Sequence, residues 1–334
     1  MRDWEADANI TTCGANPGTN PSVVKDISRQ LLELSPTVRA SLKVALGGGR
    51  TYFLPRDKAG AAYFDPEYPT QRGRRRDGRD LTDEWLATRG AGSVYAWNKA
   101  QFDAANPAST NYLLGLFEPS HMQYEADRAA DPAGEPSLTD MTEKSINMLK
   151  KNPNGFFLHV EAGRIDHAHH AGNAKRALLD TVEFSKAIKK ALEMTNTDDT
   201  LIIVTADHSH VFTIAGYPHR GNPILGLVKE VPATDGAFAT NSLDSLGLPY
   251  TTLGYQNGPG WRGTPPTNSA VRPDLTAIDT TAVGFMQEAA IPLGSETHAG
   301  EDVPVYASGP RAHLVRGSME QNWIYHVMKD AFGF

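Results

Sequence analysis

The sequence predicts an α/β fold in which a central sheet is flanked by helices on both faces. Through most of the 334 residues, apolar segments of strand length alternate with segments whose apolar residues recur at helical spacing. The apolar segments are continuous rather than alternating with polar residues, which is typical of strands that are buried on both sides. With 40% hydrophobic and 21% charged residues, the chain also has the composition of a globular protein with a sizeable core.

The first half of the chain is expected to contain two helices and three strands. One helix is predicted over 22–34 with Ser22 as its N-cap. The other is predicted over 137–152, where Ser137 and Asp140 form a capping pair. The predicted strands are the apolar runs at 41–46, 112–117 and 155–160.

The second half is expected to continue this alternation and then to be interrupted. A helix is predicted over 174–194, followed by the most apolar strand of the chain at 200–206. The apolar face of the 174–194 helix is expected to contain Leu178, Val182, Ile188 and Leu192. A strand at 303–309 and a last amphipathic helix at 318–332 complete the pattern.

A change of composition divides the chain after Gly216. Residues 217–296 are rich in Pro, Gly, Thr and Asn and contain only short apolar runs, which indicates an inserted, loop-rich region. We therefore expect a first core part at 1–216, an insertion at 217–296, and a return to the core at 297–334.

The charge and cysteine content exclude some classes of protein. The net charge of −7 argues against a nucleic-acid partner, because no basic excess is available to neutralise phosphates. The one basic run, 72–80, is interrupted by glycine and aspartate and is interpreted as a solvated loop. The single cysteine, Cys13, is either a cytosolic thiol or the partner of a cysteine outside this chain. Asn9 begins a glycosylation sequon, and no signal peptide is recognised at the N-terminus.

Histidines and carboxylates cluster where predicted strands end. Glu161, Asp166 and His170 follow the strand at 155–160. Asp207, His208 and His210 follow the strand at 200–206, and a third group is formed by Glu296, His298, Glu301 and Asp302. In open α/β sheets the functional site lies beyond the carboxyl ends of the strands, so these groups are candidates for one site.

The spacing and residue types favour a metal site. Asp166 and His170 are four residues apart, which places both on one face of a helix. Asp207 and His208 are adjacent, but on an irregular turn both can reach one ion. Mixed nitrogen and oxygen ligands suit Zn²⁺, and the ligands are too many for one zinc ion. Glu161 has no neighbouring histidine partner and suits Mg²⁺, or alternatively orients a histidine.

Four long segments of the sequence resemble the animal alkaline phosphatases. They are GFFLHVEAGRIDHAHH, TLIIVTADHSHVFTIAGYPHRGNPILG, LGYQNGPG and ETHAGEDVPVYASGPRAHLVRGSMEQNWIYHVM. The resemblance covers essentially the whole chain. It implies a homodimeric, extracellular or cell-surface enzyme that hydrolyses phosphate monoesters with two zinc ions and one magnesium ion. It also implies an alkaline phosphatase-like α/β fold in which 217–296 is the "crown" at the dimer interface.

The resemblance assigns roles to individual residues. The first zinc ion is assigned Asp166, His170 and His298, the second Asp207 and His208, and the magnesium ion Glu161. Arg2 matches the arginine that binds phosphate. A structural calcium site is implied at Glu67, Phe117, Glu118 and Glu135, where Glu135 replaces an expected aspartate. The residues expected to surround and orient the zinc ligands are His167, His169, His210 and Glu296.

The resemblance also predicts that a functional segment is missing. The family's chain begins before MRDW, and its N-terminal part carries the nucleophilic serine, an aspartate shared between the metals, and a hydroxyl ligand of magnesium. No Asp-Ser-Ala sequence occurs in the chain; the nearest, DSL at Asp244, has the wrong neighbours. The family's lipid-anchor signal is absent too, and Cys13 is expected to pair with a cysteine in the missing part.

Three interpretations therefore follow from the sequence. The complete protein is expected to be an alkaline phosphatase acting through a phosphoserine, and this chain alone an inactive fragment. The second interpretation is a metal-binding pseudoenzyme or interaction domain derived from the family. The third is a related two-metal phosphodiesterase or sulfatase-like enzyme.

Overall fold

The computed structural model describes residues 25–234, 237, 239–262 and 272–334, together with the backbone of two short strands at 2–3 and 8–9. The chain divides into two compact units, 1–161 and 162–334. None of the helices among the described residues is both long and apolar enough to cross a membrane.

The first unit contains helices and strands in alternating order. Its helices are α1 (Ile27–Leu32), α2 (Pro36–Ser41), α3 (Leu81–Arg89), α4 (Lys99–Ala104) and α5 (Leu138–Leu149). Its strands are β1 (Arg2–Asp3), β2 (Ala8–Asn9), β3 (Val44–Gly47), β4 (Asp57–Lys58), β5 (Ala61–Ala62), β6 (Ser93–Ala96) and β7 (Tyr112–Leu116).

The second unit is built from helices and short strands. Its helices are α6 (Arg164–His170), α7 (Ala174–Met194) and α8 (Trp323–Ala331). Its strands are β8 (Ile202–Val204), β9 (Ser209–His210), β10 (Phe212–Ile214), β11 (Leu253–Gly258), β12 (Ala289–Pro292), β13 (His298–Ala299) and β14 (Tyr306–Ser308).

A parallel sheet covered on both faces forms the core of the first unit, as the sequence predicts. The strand order is β3-β7-β6, and both pairings are parallel. Because side chains alternate along a strand, Leu114 and Leu116 face α1 and α3, whereas Leu113 and Phe117 face α4 and α5. Full burial of each such side chain contributes about 1.5–3 kcal/mol, so the central strand β7 carries much of the core.

Hydrogen bonds between neighbouring residues fix the start of α5 where the sequence predicts it. The Ser137 hydroxyl accepts a hydrogen bond from the Asp140 N–H at 3.0 Å, and the Asp140 carboxylate accepts one from the Ser137 N–H at 3.1 Å. This reciprocal capping box satisfies two donors that the first helical turn cannot satisfy itself. The predicted cap of the 137–152 helix is therefore confirmed.

The helix predicted over 22–34 is shorter than expected and has a different cap. It begins at Ile27, and Asp26 accepts a hydrogen bond from the Arg29 N–H at 3.1 Å. Asp26 is buried and also ion-pairs with Arg75 at 3.0 Å, so a tertiary contact fixes where the helix starts. Ser22 lies outside the described residues.

The basic run at 72–80 is not simply a solvated loop. Arg75 is fully buried between Asp26 and Asp77. The expectation of solvation is wrong for this residue, because Asp26, which is far away in the sequence, and Asp77, which lies within the run, compensate the buried guanidinium.

The strand predicted at 155–160 is absent. The segment has no regular secondary structure and pairs with no strand of the described residues, and Phe157 is 60% exposed. An apolar run favours an extended backbone, but a strand also needs a neighbour for its backbone hydrogen bonds. The predicted buried strand is therefore wrong in this structure.

The helix over 174–194 has the predicted bounds but a different buried face. Ala174, Ala177 and Ala187 are buried, whereas Val182 is 51% and Leu192 is 40% exposed. At its first turn, the Ala174 N–H donates to the side chain of Gln287 at 2.7 Å. The large apolar residues therefore do not determine which face of α7 is buried. That face is determined by the segment that packs against the helix, which includes Gln287.

The described strands of the second unit form three small sheets. The predicted strands at 200–206 and 303–309 are found as β8 and β14, which pair antiparallel. β9 pairs with β13, and β10-β11-β12 form a three-stranded sheet. That sheet joins 212–214 to 253–258, so its strands come from both sides of Gly216.

Candidate metal centre

Three elements of the second unit bring the histidines together. In the antiparallel pair of β9 and β13, His210 lies directly opposite His298. α6 contributes Asp166 and His170, whose i,i+4 spacing places the carboxylate 3.3 Å from the imidazole Nε2. The Glu296 N–H donates to the His170 carbonyl at 3.0 Å, which ties the end of α6 to the segment that leads into β13.

The Asp166 carboxylate is the centre of this cluster. Its Oδ1 lies 3.1 Å from Nε2 of His210, 3.3 Å from Nε2 of His170 and 3.3 Å from Nε2 of His298. Nε2 of His208 is 3.9 Å away. This Oδ1 is inaccessible to solvent, yet no hydrogen bond to it has acceptable geometry among the described residues.

Hydrogen bonds on the far side of three of the rings determine which nitrogen faces Asp166 with a lone pair. His170 Nδ1 donates to the Glu296 carbonyl at 2.6 Å, and His210 Nδ1 donates to Glu296 Oε2 at 2.7 Å. His208 Nδ1 faces the Ser209 carbonyl at 3.3 Å. Because these oxygens only accept, the proton of a neutral ring sits on Nδ1 and the lone pair on Nε2.

The spacing of these atoms fits a tetrahedral metal ion. An ion with bonds of about 2.0–2.1 Å holds its ligand atoms about 3.3–3.4 Å apart. His170 Nε2 and His298 Nε2 are 3.1 Å apart, and each is 3.3 Å from Asp166 Oδ1. Facing lone pairs and a carboxylate oxygen at this spacing repel one another unless a proton or a cation lies between them, so the residues fit the implied metal.

The two residues assigned to a second metal ion lie beside this cluster. Asp207 Oδ2 is 3.2 Å from His208 Nε2, so the two adjacent side chains do converge. The Asp207 side chain is 85% exposed, in contrast to Asp166. His208 also stacks on His298 with ring centroids 3.5 Å apart, which connects this pair to the first group.

The structure gives His210 and Glu296 more central positions than the sequence suggests. His210, Asp166, His208 and His298 each offer a ligand atom within 4.8 Å of the others, and Glu296 groups with His170 and His210. Glu296 is 1% exposed and also accepts from the Val211 N–H at 2.8 Å. The signal in the sequence that favours His210 as a ligand in its own right is the alternation His-Ser-His at 208–210, which projects both rings to one side of an extended segment.

The other histidines of α6, His169 and His167, contact neighbouring side chains. His169 is largely buried, stacks on His210 with centroids 4.7 Å apart, and contacts the Tyr255 hydroxyl at 2.9 Å. Burial lowers the pKa of His169 to about 4, so it packs as a neutral ring at neutral pH. His167 Nδ1 accepts from Arg164 at 3.2 Å.

Two predicted site residues, Glu161 and Arg2, belong to the first unit. Glu161 is the last residue of the first unit and is exposed. The side chain of Arg2 lies outside the described part of the chain, although its backbone pairs with Asn9 in β1 and β2.

A second acidic cluster lies in the first unit, at the carboxyl end of the parallel sheet. Glu118 follows β7 by two positions, and it offers a carboxylate oxygen within 4.8 Å of those of Glu67 and Asp131. Glu135 is bound to the same region through Gln123, whose N–H donates to Glu135 at 2.9 Å and whose side chain donates to Glu118 at 2.8 Å. Asp131 is the member that the sequence interpretation missed.

Burial and mutual repulsion act on this acidic cluster. Burial raises the pKa of Glu118 to about 7, and the charges of Glu67 and Asp131 add to the effect. Burial likewise raises the pKa of Glu135 to about 8, with Glu118 and Asp131 contributing. The carboxyl groups of Glu118 and Glu135 therefore take up protons at a higher pH than free glutamates do, because burial and the neighbouring carboxylates disfavour their charged forms.

Phe117 has a structural role in this region through its side chain. The ring is fully buried and packs edge-on against Phe102, with centroids 5.6 Å apart. This packing holds the end of β7, from which Glu118 projects.

The fold and the two clusters define a metal-binding protein of the α/β class. The sequence profile of the alkaline phosphatase family matches residues 1–334, and the chain therefore belongs to the alkaline phosphatase family. The resemblance predicted from the sequence is confirmed.

Curated relatives agree with this assignment. The chain is 43% identical to the tissue-nonspecific alkaline phosphatase of Gallus gallus over 332 residues, which are 99% of this chain and 59% of the relative. It is 42% identical to the alkaline phosphatase of Gadus morhua, covering 64% of it, and 41% identical to the human tissue-nonspecific isozyme, covering 58%. The chain thus spans about three fifths of the length of these relatives.

A solved structure supports the fold. The alkaline phosphatase of the Antarctic bacterium TAB5 matches with a TM-score of 0.50 and 19% identity, over 88% of this chain and 60% of the other. The α/β fold class predicted from the sequence is confirmed by this match and by the parallel sheet of the first unit.

Proposed function

We propose that the protein to which this chain belongs hydrolyses phosphate monoesters. The observation that carries the proposal is the Asp166 carboxylate oxygen, which has no hydrogen bond of acceptable geometry among the residues that the structure describes and is surrounded by imidazole nitrogens at metal-ligand spacing. Membership of the alkaline phosphatase family gives that site its reaction class.

Metal ligation is proposed residue by residue. Asp166, His170 and His298 hold one zinc ion, Asp207 and His208 hold a second, and Glu161 binds a magnesium ion. When bound, these ions supply positive charge for the phosphate oxygens and lower the pKa of an attacking hydroxyl group.

The protein's own groups position the site. Glu296 keeps the protons of His170 and His210 on Nδ1, so that both Nε2 lone pairs face Asp166. His210 and the ring of His169 stack against each other and restrict the orientation of the imidazoles. Arg2, through its planar guanidinium, is proposed to bind two oxygens of the phosphate.

The nucleophile is proposed to be a serine contributed from outside residues 1–334, with a phosphoserine intermediate. Residues 1–334 contain no Asp-Ser-Ala sequence. This observation favours a second candidate function, a metal-binding pseudoenzyme or interaction domain, if the protein has no further segment that supplies the serine.

The assembly and location are proposed from the family alone. We infer a homodimer outside the cell or at its surface, held by a lipid anchor, with residues 217–296 as a crown at the dimer interface. A calcium ion is proposed at the acidic cluster of the first unit.

The test is a comparison of three substrates with the protein extended to the length of its relatives and with the present chain. The extended protein is expected to hydrolyse p-nitrophenyl phosphate much faster than the corresponding diester or sulfate ester, and to form a trappable phosphoserine. The present chain is expected to bind zinc without turnover. Zinc binding without hydrolysis by the extended protein would favour the pseudoenzyme, and preferred cleavage of the diester or sulfate would reassign the reaction.

A further inference from the structure

We propose that Arg89, together with Arg39 and Lys43, binds a small divalent oxyanion such as inorganic phosphate or sulfate at the edge of the first unit where the parallel strands begin. Lys43 directly precedes β3, Tyr112 is the first residue of β7, and Arg89 ends the helix that leads to β6. Because these strands are parallel, their amino ends lie at one edge of the sheet. The inference does not rest on the hydrolysis of phosphate esters.

Other arginines of the chain show what the side chain of Arg89 is suited to bind. The Nε–H and one Nη2–H of an arginine point to the same side and form a fork that holds two oxygens of an anion. Forks of this kind join Arg50 to Asp65, Arg75 to Asp77, Arg79 to Glu84, Arg128 to Glu125 and Arg272 to Glu288. In Arg89 the same two nitrogens have no hydrogen-bond acceptor among the described residues.

The Arg89 guanidinium is buried beside another cation rather than beside a carboxylate. The residue is 9% exposed, and its Nε and Nη2 atoms are inaccessible to solvent, so water does not satisfy them. Burial lowers the pKa of Arg89, and the positive charge of Arg39 lowers it further. A buried charge is costly unless an opposite charge accompanies it, so this guanidinium favours the arrival of an anion.

The contacts that Arg89 makes within the fold do not involve the fork. Its Nη1 donates to the Arg39 carbonyl in the last turn of α2, which gives a donor to a helix end. The guanidinium carbon lies 4.4 Å from the ring centroid of Trp85 and 5.5 Å from that of Tyr112. Cation–π contacts engage the charge of the guanidinium and accept none of its N–H hydrogen bonds in the plane. These contacts position Arg89 and leave the Nε and Nη2 donors for a ligand.

The two further cations of the site can reach an anion at the fork. Lys43 Nζ lies 4.3 Å from the centroid of the same Tyr112 ring and 3.2 Å from its hydroxyl. Arg39 and Lys43 are both partly exposed, and neither forms an ion pair within the described part of the chain. Their long side chains are flexible, so they can move to admit an anion and then close on it.

The donors select the class of anion. A tetrahedral oxyanion offers two oxygens to the Arg89 fork and keeps further oxygens for Arg39 and Lys43. A monocarboxylate fills the fork but has no oxygen left for the other cations, and chloride cannot span the fork with two separate acceptors. Phosphate or sulfate is therefore the expected ligand, and the three positive charges favour a divalent anion.

The experiment measures the binding of inorganic phosphate to residues 1–334 by isothermal titration calorimetry, with metals removed and the ionic strength held constant with chloride. Arg89→Lys keeps the positive charge and can still donate to the Arg39 carbonyl, but it lacks the fork. We expect it to weaken phosphate binding at least about 10-fold, because charge-assisted hydrogen bonds are lost. Lys43→Gln should weaken binding about 3-fold, since it removes one partly exposed charge.

Two control variants identify where phosphate binds. Arg79→Lys is the matched control, because Glu84 already occupies the same fork in Arg79, and it should bind phosphate as the wild type does. Arg2→Lys reports on the phosphate site that is proposed at the metal centre, and it should also retain the binding seen without metals. A binding loss in Arg2→Lys combined with unchanged binding in Arg89→Lys would overturn the proposal without affecting the proposed function.

Thermal melts separate binding from a loss of stability caused by the substitution itself. Each variant is compared with its own melting temperature without phosphate, at concentrations below those at which phosphate and sulfate stabilise proteins in general. Phosphate should raise the melting temperature of the wild type and of Arg79→Lys, and should raise that of Arg89→Lys much less. Equal shifts in the wild type and Arg89→Lys, or equal stabilisation by chloride, would contradict an oxyanion site at Arg89.

Discussion

Glu296 organises the histidine cluster from a fully buried position. One carboxylate oxygen accepts from His210 Nδ1 at 2.7 Å, the other accepts from the Val211 N–H at 2.8 Å, and its backbone carbonyl accepts from His170 Nδ1 at 2.6 Å. A single residue thus sets the tautomer of two rings whose opposite nitrogens face Asp166. Its effect on metal binding is exerted through those rings.

The substitution Glu296→Gln tests this role with little change of shape. Gln keeps an acceptor for the Val211 N–H but places an NH₂ group beside His210 Nδ1, which then becomes the acceptor and moves the ring proton to Nε2. We expect zinc affinity to fall by about 10–100-fold, measured by competition with a chromophoric chelator. Glu301→Gln, at an exposed carboxylate that accepts a hydrogen bond from the Ser209 hydroxyl, should retain affinity. Equal affinity of both variants would contradict the role of Glu296.

The Glu33 carboxylate links the end of α1 to the segment that precedes α3. It lies at the C-cap of α1 and ion-pairs with Arg29 at 2.7 Å, with Lys25 at 2.8 Å and with Arg79 at 2.6 Å. Burial alone raises the pKa of Glu33, but hydrogen bonds from these three cations outweigh burial and lower it to about 2. Arg29 within α1, together with Lys25 and Arg79 outside it, therefore holds the end of the helix.

The lowered pKa predicts a pH dependence of stability. Because the folded pKa lies below the unfolded value of 4.5, the contribution is fully present above pH 4.5 and is lost as the pH falls toward about 2. After allowance for solvent screening, we expect Glu33→Gln to remove about 1–2 kcal/mol at neutral pH and almost nothing near pH 2. Urea titrations at several pH values measure this, with Glu193→Gln in an exposed pair as control. A pH-independent difference between Glu33→Gln and the wild type would count against it.

Two apolar segments of similar sequence character have different surroundings. Leu114 in β7 is fully buried between α1 and α3 and its sheet neighbours, whereas Phe157 in the 155–160 segment is 60% exposed. The difference arises because β7 has a parallel partner on each side, and 155–160 has none among the residues that the structure describes.

This contrast predicts unequal costs of truncation. Leu114→Ala is expected to lower the free energy of unfolding by about 2–5 kcal/mol, because it leaves a cavity in the core. Phe157→Ala is expected to cost less than about 0.5 kcal/mol. Urea unfolding followed by the fluorescence of buried Trp85 compares them. A cost for Phe157→Ala as large as that for Leu114→Ala would mean that 155–160 is a buried strand in solution.

At the scale of the whole molecule, the two metal-ligand clusters belong to different units. The histidine cluster lies within 162–334, and the acidic cluster lies within 1–161. An ion that binds one of these clusters is expected to stabilise the folded form of the residues that hold it, since it does not bind the unfolded chain equally well.

Amide hydrogen exchange can measure separately how an ion at each cluster stabilises the surrounding residues. Zinc is expected to slow amide exchange in 164–170, 208–211 and 296–299, and calcium in 116–123 and 128–135. Magnesium alone is the control and should give neither pattern at equal concentration. Protection of 128–135 by zinc without protection of 164–170 would show that the clusters are assigned to the wrong ions.

Parts of this picture could be predicted from local sequence. The bounds of α7 and the capping box of α5 were predictable because both depend on residues within a few positions of each other. The pairing of Asp166 with His170 was predictable for the same reason. β7 was recognisable because a strand buried on both faces needs a continuous apolar run.

Other parts depend on residues far apart in the chain. His210 and Glu296 are separated by 86 positions, and only the register of β9 against β13 brings them together. Asp131 joins Glu67 because a turn docks against the end of the sheet, and the start of α1 depends on Arg75. No local pattern encodes such contacts, because many packings are compatible with the same short segments.

The sequence by itself therefore determined the family, the α/β class, the long helices, and the residue types that can bind metal. Only the tertiary structure decided which of these residues meet: His210 and Glu296 around Asp166, and Asp131 beside Glu67 and Glu118. The physical reason is the distance along the chain over which each determinant acts. Propensity, capping and periodicity act over a few residues, whereas a ligand cluster requires side chains from several segments to converge at spacings of 3–5 Å, which packing and strand register alone impose.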